Sequence, residues 1–136
     1  GDTTQTWASL DYQPGFTATA SNIAYPWWSH DIGGHCMGKK DDELYLRWVQ
    51  LGVFSPIMRL HSTNNEFAGK EPWNYSSPVE KTAKDYLRLR HKLLPYIYTM
   101  NYRTHTDCRA ICEPMYYAFP EDKNAYECKN EFFFLR

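Results

Sequence analysis

The chain has 136 residues, 43% hydrophobic and 23% charged, a globular balance with enough length for one domain and its own core. A net charge of −1 and the lack of a long basic block exclude the usual footprint of a nucleic-acid or anionic-lipid partner. No apolar run reaches the roughly 18 residues of a membrane span, so no membrane partner is expected.

Residues 6–20 read as a helix broken at Pro14-Gly15, because proline removes a donor and crowds the preceding turn. Residues 22–29, NIAYPWWS, form a short aromatic run ending in polar residues and glycines, which reads as a buried strand feeding a loop. On that strand Trp27 and Trp28 alternate, one facing the sheet interior and the other the helices. KKDDELYLRWVQLGVF is next, a helix with an acidic start and Leu44, Trp48 and Leu51 at i, i+4 and i+7. SPIMRLHS reads as another short strand with a polar end.

Residues 62–77 are loop. Ser77 is the expected N-cap of a helix running to about Thr104, with Pro78 at its first position and a kink at Pro95. EPMYYAFP and ECKNEFFFL then read as strands joined by an acidic turn. A strand–helix–strand–helix order followed by strands alone gives an α/β fold with an antiparallel piece after it. The boundary is expected near residues 106–112.

The start GDTTQTWASL has neither the basic opening nor the apolar stretch of a signal peptide. With no initiator Met, and with EFFFLR ending in mid-strand, the chain is expected to be a piece of a longer protein. Cys36, Cys108, Cys112 and Cys128 show no CxxC pair and no framework spacing. They are expected to be free thiols in a reducing, cytoplasmic compartment.

YPWWSHDIGGH, residues 25–35, brings stacking rings, a carboxylate and a glycine turn into eleven residues. Sugar binding is one reading. A zinc site of His30, Asp31, His35 and Cys36 is another, but none of the usual ligand spacings is met, so no metal and no cofactor are expected. Asp2, Asp31 and His61 fall at strand ends or loop starts, 29 and 30 residues apart. One βα unit takes about 30 residues. In a (β/α)8 barrel the strand C-termini share one mouth, so the three side chains would converge. Each also has a plain reading: Asp2 as a helix N-cap, Asp31 as a loop cap before Gly33-Gly34, and His61 as a structural histidine.

Five blocks in order, GDTTQTW, WWSHDIGG, LRWVQLGVFSPIMRLHS, EPWNY and LRLRHKLLPYIYT, resemble the C-terminal barrel segment of glycoside hydrolase family 31, the family of α-glucosidases, α-xylosidases and relatives. The resemblance covers residues 1 to about 120. It implies the C-terminal portion of a (β/α)8 TIM barrel over residues 1–107 and the start of an antiparallel β-sandwich domain over 108–136. It implies a retaining hydrolase acting on an oligosaccharide or glycoside, with Asp2 of the Gly-Asp pair as acid/base. Asp31 and His61 match residues that bind sugar hydroxyls, and Arg59 matches an Arg beside them. Trp28 is a candidate wall of the substrate pocket. His35 stands where many members carry an aromatic residue, so it is placed at the rim, where sugar or linkage preference is set. The nucleophile matches no segment here, so the rest of the parent chain is needed to complete the barrel. Terminal α-glucosides are the expected substrates, with α-xylosides as the alternative. A non-catalytic carbohydrate-binding module would explain the aromatics but not the proton-donor block.

Overall fold

The computed structural model describes residues 2–134; Gly1 of the Gly-Asp pair and the last two residues of the EFFFLR run lie outside the described residues. A short strand β1 (Thr4–Gln5) leads into helix α1 (Trp7–Thr19). Thr6 caps α1, its Oγ1 accepting from the Ser9 amide at 3.2 Å, so Asp2 is not the cap. Pro14 sits inside α1 without breaking it. Proline costs one backbone bond and up to about 3 kcal/mol. Burial of Gln13, Thr17 and Ala18, and the edge-on contact of Phe16 with Trp28, oppose that loss.

The aromatic run is not a strand. Ala20–Ile23 form a 3-10 helix, and Ala24 turns the chain with a left-handed φ of 56°. Pro26 then denies a donor to any sheet partner. Extended structure begins at Ser29, which pairs in parallel with Ile57, and Ile32 pairs with Leu60 in the same sense. Strand β2 (Cys36–Gly38) runs parallel to β1. These short parallel pairings are joined by α2 (Asp42–Val53). Asp41 caps α2 by accepting from the Leu44 amide at 2.7 Å, and Asp42 and Glu43 complement its positive end.

Side chains on the paired segments alternate. His30, Ile32, Met58 and Leu60 face α2, where Ile32, Trp48 and Val49 are fully buried with Leu44, Tyr45 and Ala83. Asp31, Arg59 and His61 therefore point to the other side, since successive residues of a strand leave opposite faces. The core behind α2 is closed by α3 (Ser77–Lys92). Ser76, one residue earlier than expected, is its N-cap position, with no side-chain bond to the helix. Arg90 of α3 donates to the carbonyls of Val53, Ser55 and Pro56 at 2.7, 2.6 and 2.9 Å. It thus satisfies acceptors that the end of α2 would leave open.

Pro95 starts a helix rather than kinking one: α3 stops at Lys92, and α4 (Leu94–Asp107) begins with the proline in its first turn. A second apolar cluster joins Ile97 and Met100 of α4 to Ile111 and Cys112. Beyond it, β3 (Cys112–Glu113) and β4 (Phe133–Phe134) make a two-stranded antiparallel sheet. The expected strand at 113–120 is largely a 3-10 turn, Met115–Tyr117. All four cysteines are free. No helix of the described residues is long and apolar enough to cross a membrane.

His30 carries a stability signature. Its ring lies 5.4 Å from that of Trp48, and Nε2 is 2.8 Å from Ser55 Oγ. Burial lowers its pKa from 6.5 to about 4. Between those values the unfolded chain binds the proton and the folded chain does not, so stability falls as the pH drops from 6.5 toward 4. The full loss is about 3 kcal/mol, reached below pH 4. Urea denaturation of the wild type and of His30→Gln across this window should show a steeper fall in the former.

Candidate active site

The turn after Asp31 draws two segments together. Gly33 and Gly34 take φ values of 96° and 81°. The Gly34 amide donates to the Asp31 carbonyl at 2.9 Å, closing the turn. A Cβ on Gly34 would lie 2.8 Å from Gln5 Cα and 2.9 Å from the Thr4 carbonyl, so only glycine permits this approach. Directly after it, the amides of His35 and Cys36 both donate to the Thr3 carbonyl, at 2.8 and 3.2 Å. On the other side the His35 carbonyl accepts from Thr63 at 2.9 Å. His35 is thereby held between the segments that carry Asp2 and His61.

Asp31 is fully buried. Its Oδ1 accepts from Arg59 at 2.5 Å, across the pairing in which the Ile32 amide donates to the Arg59 carbonyl. Its Oδ2 lies 2.7 Å from His35 Nδ1. The pair has the length of an ion pair, and neither atom has another hydrogen-bond partner among the described residues. A buried acceptor in this state has room for a donor from a ligand. His35 Nδ1 is also 3.6 Å from Asp2 Oδ1, and the His35 and His61 rings are 5.1 Å apart.

The structure therefore brings Asp2, Asp31, His35, Arg59 and His61 into one polar group. Asp31 does not cap the glycine turn with its side chain; its backbone does that. His35 is central rather than peripheral. Trp28 joins a different group, edge-on to Phe16 of α1 and to Tyr25. Trp27 is about half exposed. Asp2, with 76% of its side chain exposed, does not receive from the described residues the burial that favours a proton donor.

The loop bearing the EPW block is fixed from behind. Tyr45 donates to the Lys70 carbonyl at 2.8 Å, and the Tyr45 and Tyr75 rings stack at 3.8 Å. Lys70 Nζ donates to the Ala68 carbonyl at 2.7 Å, and burial lowers its pKa to about 8. A hollow of about 520 Å³ opens between this loop, His61 and α3. A larger one, about 770 Å³, lies between α1 and residues 114–131 and contains none of the clustered side chains. The polar group marks the site better than cavity size does. Among the zinc ligands considered from sequence, His30 is turned toward Ser55 and Trp48. Asp31, His35 and His61 do place three potential ligand atoms within 4.8 Å of one another.

Residues 1–100 match the model of the glycosyl hydrolases family 31 TIM-barrel domain. The chain belongs to glycoside hydrolase family 31. The α-xylosidase of Saccharolobus solfataricus is 33% identical over 98% of this chain and 18% of its own length. Bovine lysosomal α-glucosidase is 32% identical over 93% of this chain and 13% of its own. Among solved structures, the cycloalternan-forming enzyme of Listeria monocytogenes, in complex with a pentasaccharide substrate, superposes with a TM-score of 0.92 at 29% identity. That match covers 99% of this chain and 14% of that one. The chain thus spans less than a fifth of the length of these relatives, and its parallel pairings are a fragment of the family's TIM barrel.

Proposed function

We propose that this chain supplies the proton-donating and sugar-gripping wall of a retaining exo-α-glucosidase, working within a completed family 31 barrel. The observation that carries the reading is the buried Asp31, whose Oδ2 has, among the described residues, no partner beyond the ion pair with His35, in a group that includes His61 and Asp2. The carboxylate accepts from a hydroxyl of the terminal sugar, a charge-assisted bond. Arg59 holds that carboxylate in place, and His61 donates to a neighbouring hydroxyl.

In the first step Asp2 gives its proton to the glycosidic oxygen as the bond to the anomeric carbon breaks. A carboxylate from elsewhere in the barrel attacks that carbon and forms a covalent glycosyl-enzyme. In the second step Asp2 takes a proton from water. The water oxygen bonds to the anomeric carbon and the carboxylate leaves, so the configuration is retained. The two carboxyls must stand about 5–5.5 Å apart for this course. The cover that Asp2 needs comes from the rest of the barrel. In this reading residues 108–136 open the following β-domain, and the enzyme works in a reducing compartment.

The similarity to the S. solfataricus α-xylosidase favours a second reading, cleavage of α-xylosides. A panel of α-glucosides and α-xylosides, assayed with the barrel complete, separates the two. The α-glucosides should give the higher kcat/KM. Higher values on α-xylosides would reverse the assignment, and tight sugar binding without cleavage would leave only a binding module.

A further inference from the structure

We propose that Asp31, His35 and His61 form a site for a divalent transition-metal ion, zinc above all, which occupies the pocket in competition with sugar. Each residue offers one ligand atom, and the three atoms lie within 4.8 Å of one another. The second observation is burial. Asp31 Oδ2 and His35 Nδ1 sit on side chains exposed by only 0% and 17%, 2.7 Å apart, and neither has a further hydrogen-bond partner among the described residues. A proton on Nδ1 joins the two atoms as an ion pair, and a metal ion can take that proton's place between them.

The donor set selects the ion. Two imidazoles and one carboxylate suit zinc and its neighbours, which bind both ligand types at about 2.0–2.2 Å. Calcium asks for six to eight oxygens and magnesium for an octahedron of them, and the pocket supplies neither. Arg59 already holds Oδ1, so the carboxylate coordinates through Oδ2 alone. The guanidinium charge also works against hard cations, whose binding is mostly electrostatic. Two ligands of a tetrahedral zinc ion stand about 3.4 Å apart, so the three atoms must shift by up to roughly 1.4 Å, the Asp31–His35 pair opening from 2.7 Å and His61 moving in. Three protein ligands leave a fourth position open to water, or to Asp2, whose Oδ1 is 3.6 Å from His35 Nδ1.

The binding claim stands on this geometry. Only the competition with sugar rests on the reading of the pocket given above, since it is the same Asp31 oxygen that would hold a hydroxyl.

The test is calorimetric titration of Zn²⁺ into the protein with its barrel complete. Cys36, Cys108 and Cys128 are replaced by serine, because these thiols would also take up zinc. One ion per chain is expected. His35→Phe and His61→Asn should each weaken binding at least tenfold, as loss of even an outer-sphere partner does, with circular dichroism unchanged. Mg²⁺ and Ca²⁺ at equal concentration should give no binding. Glucose should raise the apparent Kd for zinc. No stoichiometric zinc binding, or binding indifferent to both substitutions, overturns the site. Zinc binding that depends on both histidines but ignores glucose keeps the site and overturns the sugar reading of the pocket.

Discussion

Asp2→Asn, in the enzyme with its barrel complete, should lower kcat on unactivated α-glucosides by about 10²–10⁴-fold, the range lost with a positioned general acid. The amide has the same shape and cannot give up a proton to the leaving oxygen. The loss should shrink on substrates with an acidic leaving group, because such groups depart without protonation. Stability should change little, since Asn keeps the size of the side chain and the described residues give Asp2 a single ion-pair contact, His35 at 3.6 Å. Steady-state kinetics on the two substrate types, with a thermal melt, checks all three points. Normal turnover on the unactivated substrate would remove Asp2 from the acid/base role.

Asp31→Asn should cut kcat/KM by about 10²-fold. A hydrogen bond to a charged group contributes about 1.5–3 kcal/mol, and each 1.36 kcal/mol is tenfold in rate. The amide also turns an acceptor into a donor on one side, opposite Arg59 or the sugar. The competing view is that Asp31 matters only for folding. Asp31 is fully buried and the Arg59 side chain half exposed, so neutralising the carboxylate costs some stability, limited because the guanidinium rehydrates. A large kinetic loss with a melting shift of a few degrees supports the binding role. A large melting shift with little change in kcat/KM would make the residue structural.

Much of the site could be read from the residues because strand alternation and strand-end spacing leave traces in sequence. Asp31, Arg59 and His61 lie in two short segments whose odd-numbered residues share a face, and a family resemblance adds the rest. Helix α2 was equally legible, with an acidic cap and apolar residues a turn apart. Residues 22–28 were not. Their aromatic content suggests a strand, yet the left-handed Ala24 and Pro26 keep the segment out of any sheet. Pro14 and Pro95 illustrate opposite errors. Proline inside α1 is outweighed by packing, whereas Pro95 ends up in the first turn of a separate helix. The central place of His35 follows from long-range backbone bonds to Thr3 and Thr63, which no local pattern announces.

The bare position at Gly34 has a consequence for how such enzymes diversify. Backbone from the β1 segment fills the space a methyl group would need there, so that step of the chain admits no experiment. Change is open instead at the very next residue, which the same contact delivers into the middle of the polar group. An enzyme lineage can thus exchange imidazole for a flat hydrocarbon ring at position 35 and alter what the pocket welcomes, while the seam that holds the two segments together stays unchanged.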